Sequence, residues 1–166
     1  MRKVLDVGGG AKPKKDATHL IDIDPNYCKR FKKTTGREAV CYDLNKLPLP
    51  FKDETFDKIY LDMVLEHLEV NSFAFLKEIN RITKTHGKLY INCPNSLFLP
   101  KRIMFLFGNL HKTFHWHHRK HFLFPTTMMY MLFDTGFHVK RKYFLMPFKN
   151  LLMPTSKFIA RKFPSH

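Results

Sequence analysis

Four residues of strand character, VLDV at Val4–Val7, run directly into three consecutive glycines, Gly8, Gly9 and Gly10. A tight turn that needs positive φ is satisfied by one glycine. Three of them after a buried strand point to bare backbone that a ligand approaches, as at the binding edge of an open parallel sheet. Further strand-like runs follow, HLIDID, EAVCYD, FDKIYLD and HGKLYINCP, with Gly87 expected to end the helix before the last of them. Apolar spacing predicts an amphipathic helix over 70–84 carrying Phe73, Leu76, Ile79 and Ile82, capped by Asn71 or Ser72. PTTMMYMLFDTGF predicts another helix, with Thr126 or Thr127 near its start and Gly136 at its stop, before the strands FHVKRKYFL and SKFIARKF. Strands alternating with helices predict a mostly parallel α/β sheet covered on both faces.

At 166 residues the chain fits a single domain over 1–166. Its longest apolar runs are broken by Pro100, Lys101, Arg102 and Gly108, well short of a membrane span, and its first residues lack a signal-peptide pattern. These features predict a cytoplasmic protein. Cys28, Cys41 and Cys93 are odd in number and form no CxxC pair, so reduced thiols are expected, with neither a disulfide framework nor a metal site. The net charge of +15 is concentrated late: residues 100–166 hold 12 Lys and Arg against one acidic residue, Asp134. This divides the domain into a ligand-binding half, 1–95, and a basic, aromatic half, 96–166, suited to an anionic partner that also offers apolar surface.

Carboxylates end the first three strand-like runs: Asp6, then Asp22 or Asp24, then Asp43. At the end of a second strand a carboxylate can accept both hydrogens of a ribose diol, and at the end of a third it can accept from an exocyclic amino group. Such a set is a poor cradle for pyrophosphate. It suits a cationic ligand rich in hydroxyl and amino donors.

VLDVGGG, LIDIDP, YDLNKLPLPFKDETFDKIYLDMVLEHL and FLKEINRITKTHGKLYINCPN follow one another in the order of the class I S-adenosylmethionine-dependent methyltransferases. The chain resembles in particular the type 11-like group with a DLNxxPxPFxDxxFDxIxxxxVLEHL core, closely over residues 3–95 and loosely beyond. The resemblance implies a Rossmann-like α/β fold, a seven-stranded, mostly parallel sheet with an antiparallel last strand, and S-adenosylmethionine as cofactor. It implies that Asp6 and Gly8, Gly9 and Gly10 line the methionine end, that Asp22 takes the ribose diol, and that Asp43 with Leu44 holds adenine. Asp62, through backbone near Leu61 to Met63, is implied at the cofactor amino group. One departure is plain: only about ten residues, GGGAKPKKDA, separate the first two strands, near the lower limit for a parallel crossover, so the first helix is expected to be shortened or missing. Helices that often precede the first strand in relatives are also expected to be missing, leaving the substrate cover to residues 94–135.

Methyl transfer from a sulfonium is an in-line displacement, so an enzyme supplies positioning and, for an oxygen nucleophile, a base. Glu66 and His67 in VLEHL are candidate bases beside the cofactor edge. A second candidate is FHWHHRKHF, where His115, His117, His118 and His121 fall within seven residues but no cysteine or carboxylate completes a metal shell. The resemblance implies that His118 and His121, with Arg119, lie at the substrate mouth. The basic half is expected to meet an anionic acceptor, RNA or an anionic membrane, with LFLPKRIMFLFGNL as an interfacial segment, and surface-glycan chemistry in the family group favours a glycan or lipid-linked acceptor. A non-catalytic module that holds RNA or a partner protein is the alternative.

Overall fold

The computed structural model describes residues 2–94, 106, 124–145 and 155–164. Its strands are β1 (Val4–Val7), β2 (His19–Asp22), β3 (Glu38–Cys41), β4 (Phe56–Asp62), β5 (Thr83–Pro94), β6 (Phe137–Leu145) and β7 (Thr155–Lys162). Its helices are α1 (Pro25–Thr35), α2 (Ser72–Ile82) and α3 (Pro125–Asp134), with a 3-10 turn at Leu65–His67. The strands form one sheet in the order β3-β2-β1-β4-β5-β7-β6. All neighbours are parallel except β7, which runs antiparallel to both β5 and β6.

The alternation of each strand decides which face is dry. Leu5, Val7, Ile59, Leu61, Leu89, Ile91, Phe158 and Ala160 project to one side and are at most 2% exposed. They meet Phe75, Leu76, Ile79 and Ile82 of α2 and Met128 and Leu132 of α3 in one core. Each of these side chains larger than alanine contributes about 1.5 to 3 kcal/mol of burial. Asn71 caps α2 by accepting from Phe73 N (2.8 Å). At the other end of α2, the nearly buried Lys162 of β7 donates to Asn80 O (2.9 Å) and Thr83 O (2.8 Å), fastening the helix to the far strand.

Three elements depart from expectation. Gly87 does not end a helix: α2 stops at Ile82, and Gly87 lies inside β5, where four residues bulge out between the Phe56–Thr83 and Lys58–Lys88 pairings. A Cβ on Gly87 would meet Thr83 Cγ2 at 2.6 Å and Lys84 O at 2.7 Å, so the residue is glycine because backbone crowds it. Helix α3 has Thr126 and Thr127 in its first turn, as expected, but its start is marked by Pro125, a residue not singled out from sequence. The helix α1 escaped the periodicity reading because it is short and mostly charged, with only Cys28 and Phe31 buried. Its punctuation was nonetheless present: Asp24 accepts from Asn26 N, Pro25 opens the helix, and Gly36 closes it at φ 67°.

No helix forms between β1 and β2. A polar turn replaces it: Lys14 N donates to Asp6 Oδ2 (2.7 Å), Lys14 Nζ pairs with Asp62, and Asp16 accepts from Lys58 Nζ (2.7 Å) and the Tyr60 hydroxyl (3.1 Å). Three cross-sheet anchors thus hold a crossover too short to be helical. The far face of the sheet is therefore covered unevenly, with α1 packed on β2 and β3 while Lys88, Tyr143, Lys157 and Arg161 stay exposed. Among the described residues no helix is long and apolar enough to cross a membrane.

Candidate active site

The chain leaves β1 toward β2 and β3 on one side, then crosses back to β4 on the other, so β1 and β4 flank the switch point of the sheet. A cleft of about 370 Å³ opens there beyond the carboxyl ends of the strands. Gly8 and Gly10 line it after β1, Asp22 and Ile23 after β2, and Asp43 and Leu44 after β3, while Met63, Val64 and His67 line it after β4.

The three glycines have different reasons for being glycine. Gly8 and Gly10 take φ 62° and 52°, and a Cβ on Gly10 would project toward open space with Tyr27 Cε2 nearest at 3.9 Å. Gly9 has no such φ. Its Cβ would lie 2.7 Å from Asp6 Oδ2 and 2.8 Å from Leu20 Cδ1, so it packs the turn against the sheet and does not border the cleft.

The carboxylates also divide. Asp6 is 1% exposed and does not line the cleft; burial raises its carboxyl to about 6, against the lowering effect of the Lys14 N–H and ammonium. Its work is to hold the turn. Asp22 lines the cleft, its Oδ2 accepting from Gly10 N (2.9 Å) and its Oδ1 from Asp24 N (3.0 Å), so the second of the two aspartates in LIDID is the helix cap and the first faces the ligand edge. Asp43 accepts from Asn45 N (3.0 Å), and Asn45 Oδ1 accepts from Glu69 N (2.7 Å) and Val70 N (3.2 Å), which ties the loop after β3 to the segment after the 3-10 turn.

Asp62 stands apart. Its side chain points to the far face, where Lys14 and Asn92 Nδ2 (2.7 Å) bind it, and it lines a neighbouring cavity rather than the cleft. The lowering effect of those donors outweighs burial and holds its carboxyl below the usual range. Met63 beside it takes φ 57°, unusual for a residue with a Cβ, and donates its N–H to Asn92 O (2.8 Å). Of the candidate bases, His67 is half exposed and lines the cleft. Glu66 is 1% exposed and points inward, its charge adding to the burial that pushes the Cys93 thiol up to about 12. His118, His121 and Arg119 lie outside the described residues.

Five lining residues were not singled out from sequence: Ile23, Tyr27, Asn45, Val64 and Leu68. Ile23 is the informative one, since a 62% exposed isoleucine beside two carboxylates offers an apolar surface for a flat ring to cover.

The cleft fits S-adenosylmethionine. Asp22 and Asp43 are acceptors for hydroxyl and amino hydrogens, Ile23 and Leu44 are apolar, and the open space at Gly10 is what a side chain there would fill. A 43% identical stretch of 98 residues, 59% of this chain, is shared with an uncharacterised protein of Methanocaldococcus jannaschii, of which it spans 40% of the length. Solved structures with the same fold include an S-adenosylmethionine-dependent methyltransferase of Thermotoga maritima (TM-score 0.76, 17% identity, 98% of this chain and 83% of that one). Another is from Methanosarcina mazei (TM-score 0.73, 16% identity, 98% and 93%). A family model described as a methyltransferase domain matches residues 5–91, the span from β1 to β5 that builds the cleft, and the chain belongs to that family of class I S-adenosylmethionine-dependent methyltransferases.

Proposed function

We propose that the protein binds S-adenosylmethionine in the cleft at the switch point and transfers its methyl group to an anionic acceptor. The observation that carries the reading is the pairing of two acceptor carboxylates, Asp22 and Asp43, with the open backbone at Gly8 and Gly10 around one cavity. When bound, the cofactor supplies a methyl group on a sulfonium, ready for in-line displacement. The chain's own residues do the rest. Asp22 accepts the ribose hydroxyls, Asp43 accepts from the adenine amino group, and Ile23 and Leu44 flank the ring. The Gly8 to Gly10 turn, held from behind by Asp6, leaves room for the methionine portion. His67, on the wall after β4, is placed to take a proton from an oxygen or nitrogen nucleophile as it is methylated. Glu66 has no such access.

The expectation of a glycan or lipid-linked acceptor rests on the family resemblance and on the basic, aromatic half, whose interfacial segment 97–110 lies, except for Leu106, outside the described residues. The experiment is therefore a screen: purified protein with methyl-labelled S-adenosylmethionine, incubated separately with total RNA, lipid extract and cell glycans. Label entering one fraction, and lost with Asp22→Ala, supports the reading. Calorimetric titration with S-adenosylhomocysteine that shows no binding at millimolar ligand sinks it.

A further inference from the structure

The far face of the sheet over β5, β7 and β6, where Lys88, Lys157 and Arg161 are exposed, has its own chemistry. Strand register puts Tyr60, Tyr90, Ile159 and Arg141 in one row across β4, β5, β7 and β6. The next row toward the carboxyl end of β4 holds Asp62, Asn92, Lys157 and Tyr143, and the row on the other side holds Lys58, Lys88, Arg161 and His138. A trough of about 460 Å³ runs over this face, with Tyr90 and Ile159 in its floor and four cations, Lys88, Lys140, Arg141 and Arg161, around them. No carboxylate lines it among the described residues. The acidic groups nearby are already engaged, Asp16 by Lys58 and Asp62 by Lys14. The trough shares Tyr90 and Ile159 with the smaller cavity that Tyr60, Asp62 and Tyr143 line.

We propose that this open sheet face binds single-stranded RNA, with bases against Tyr90 and Tyr143 and backbone phosphates against Lys88, Arg141 and Arg161. Aromatic rings two strands apart, Tyr90 on β5 and Tyr143 on β6, with cations on and beside the strand between them are what a single strand needs: every base has a stacking face, and each phosphate finds a positive partner. Across four strands the platform is about 14 Å wide, room for two or three nucleotides. Asp62, in the adjoining cavity, is part-exposed and keeps lone pairs beyond those used by Lys14 and Asn92, so it can accept the hydroxyl hydrogen that ribose has and deoxyribose lacks. A bilayer fits less well. The more exposed Tyr130 and Phe133 lie on α3, in the layer on the opposite face of the sheet, and Tyr143 with Phe163, the latter beneath Lys140, offers too little apolar surface here to enter a bilayer. The surface is distinct from the cofactor cleft, so the proposal does not rest on methyl transfer.

The test is fluorescence anisotropy with a labelled ten-nucleotide RNA of mixed sequence, the same DNA sequence, and competition by phosphatidylglycerol–phosphatidylcholine vesicles, over a salt series. Lys88→Glu with Arg161→Glu should weaken RNA binding at least tenfold and reduce the salt slope by about 1.4 units, about 0.7 for each of two phosphate contacts on a single strand. The charge-matched change on α1, Lys29→Glu with Arg30→Glu, both exposed, should cost threefold at most. Tyr143→Ala, at an exposed ring whose hydroxyl accepts from Arg141 Nη1 (3.3 Å), should weaken binding about fivefold with the salt slope unchanged. Circular dichroism checks that each variant is folded, and the tyrosine variant carries the test if the double one is not. Equal losses from the two charge reversals, no effect of Tyr143→Ala, DNA bound as tightly as RNA, or vesicles that displace RNA would each overturn the proposal.

Discussion

Asp22 Oδ2 accepts a hydrogen bond from the Gly10 N–H at 2.9 Å, joining the carboxyl end of β2 to the glycine turn that follows β1. The bond crosses twelve residues of chain that contain no helix. It means that the side chain offered to the ribose also shapes the loop offered to the methionine portion, so the two ends of the cleft are coupled through one carboxylate.

Replacing Asp22 with alanine should therefore weaken S-adenosylhomocysteine binding by about 1 to 3 kcal/mol, the range for losing a buried charged acceptor. Calorimetric titration reads the affinity. An unchanged dissociation constant would show that Asp22 only caps the turn.

The glycines should separate by phenotype. Gly9→Ala drives a methyl group into Asp6 Oδ2 and Leu20 Cδ1, an overpacking worth about 1 to 3 kcal/mol of stability. Gly10→Ala meets only open space but forces an alanine to φ 52°, costing about 1 to 2 kcal/mol, and its methyl group intrudes on the cleft. Thermal unfolding and ligand titration, measured together, should give Gly10→Ala the larger affinity loss for each degree of melting temperature lost. The reverse ratio would mean that the ligand edge has been misplaced.

Asp6 should make the protein less stable as pH rises. Its folded carboxyl titrates at about 6 because of burial, above the ordinary value of 3.8. Below pH 3.8 both states are protonated and nothing is lost; between about 4 and 6 the unfolded chain ionises while the folded one resists. The full difference, about 3 kcal/mol at most, is reached above pH 6. Asp6→Asn keeps an acceptor for Lys14 N and should raise stability at pH 7, a gain that disappears below pH 4. Urea melts at pH 3.5, 5 and 7 check it, and a gain independent of pH would show that ionisation is not its source.

Lys162 should matter more than a surface lysine. With its ammonium bonded to Asn80 O and Thr83 O, Lys162→Met would leave both carbonyls without that donor and cost about 1 to 3 kcal/mol. Denaturant unfolding with an unchanged m value is the expected record. A loss below about 0.5 kcal/mol would mean that water replaces the ammonium freely.

Much of the cleft was legible in the chain because its signals are local. A glycine run after an apolar tetrad, and Asp22 and Asp43 at the ends of two further runs, fall at one sheet edge once the strands are parallel, whatever the rest does. Helix α1 was equally local in its caps, Asp24, Pro25 and Gly36, but its thin apolar face gave periodicity little to detect. Three facts depended on tertiary structure. Glu66 is sealed beside Cys93 while its neighbour His67 borders the cleft, because a 3-10 turn sets the direction of each side chain. Asp62 faces away from the cleft because strand alternation places it with Tyr60 and Lys58, where Lys14 from the crossover can reach it. Gly9 is bound to its residue type by Asp6 and Leu20, neighbours that only the β1–β2 pairing brings together. Which residues sit at the edge follows from short-range pattern. Which way they point follows from register and cross-strand partners, long-range pairings that no stretch of sequence contains.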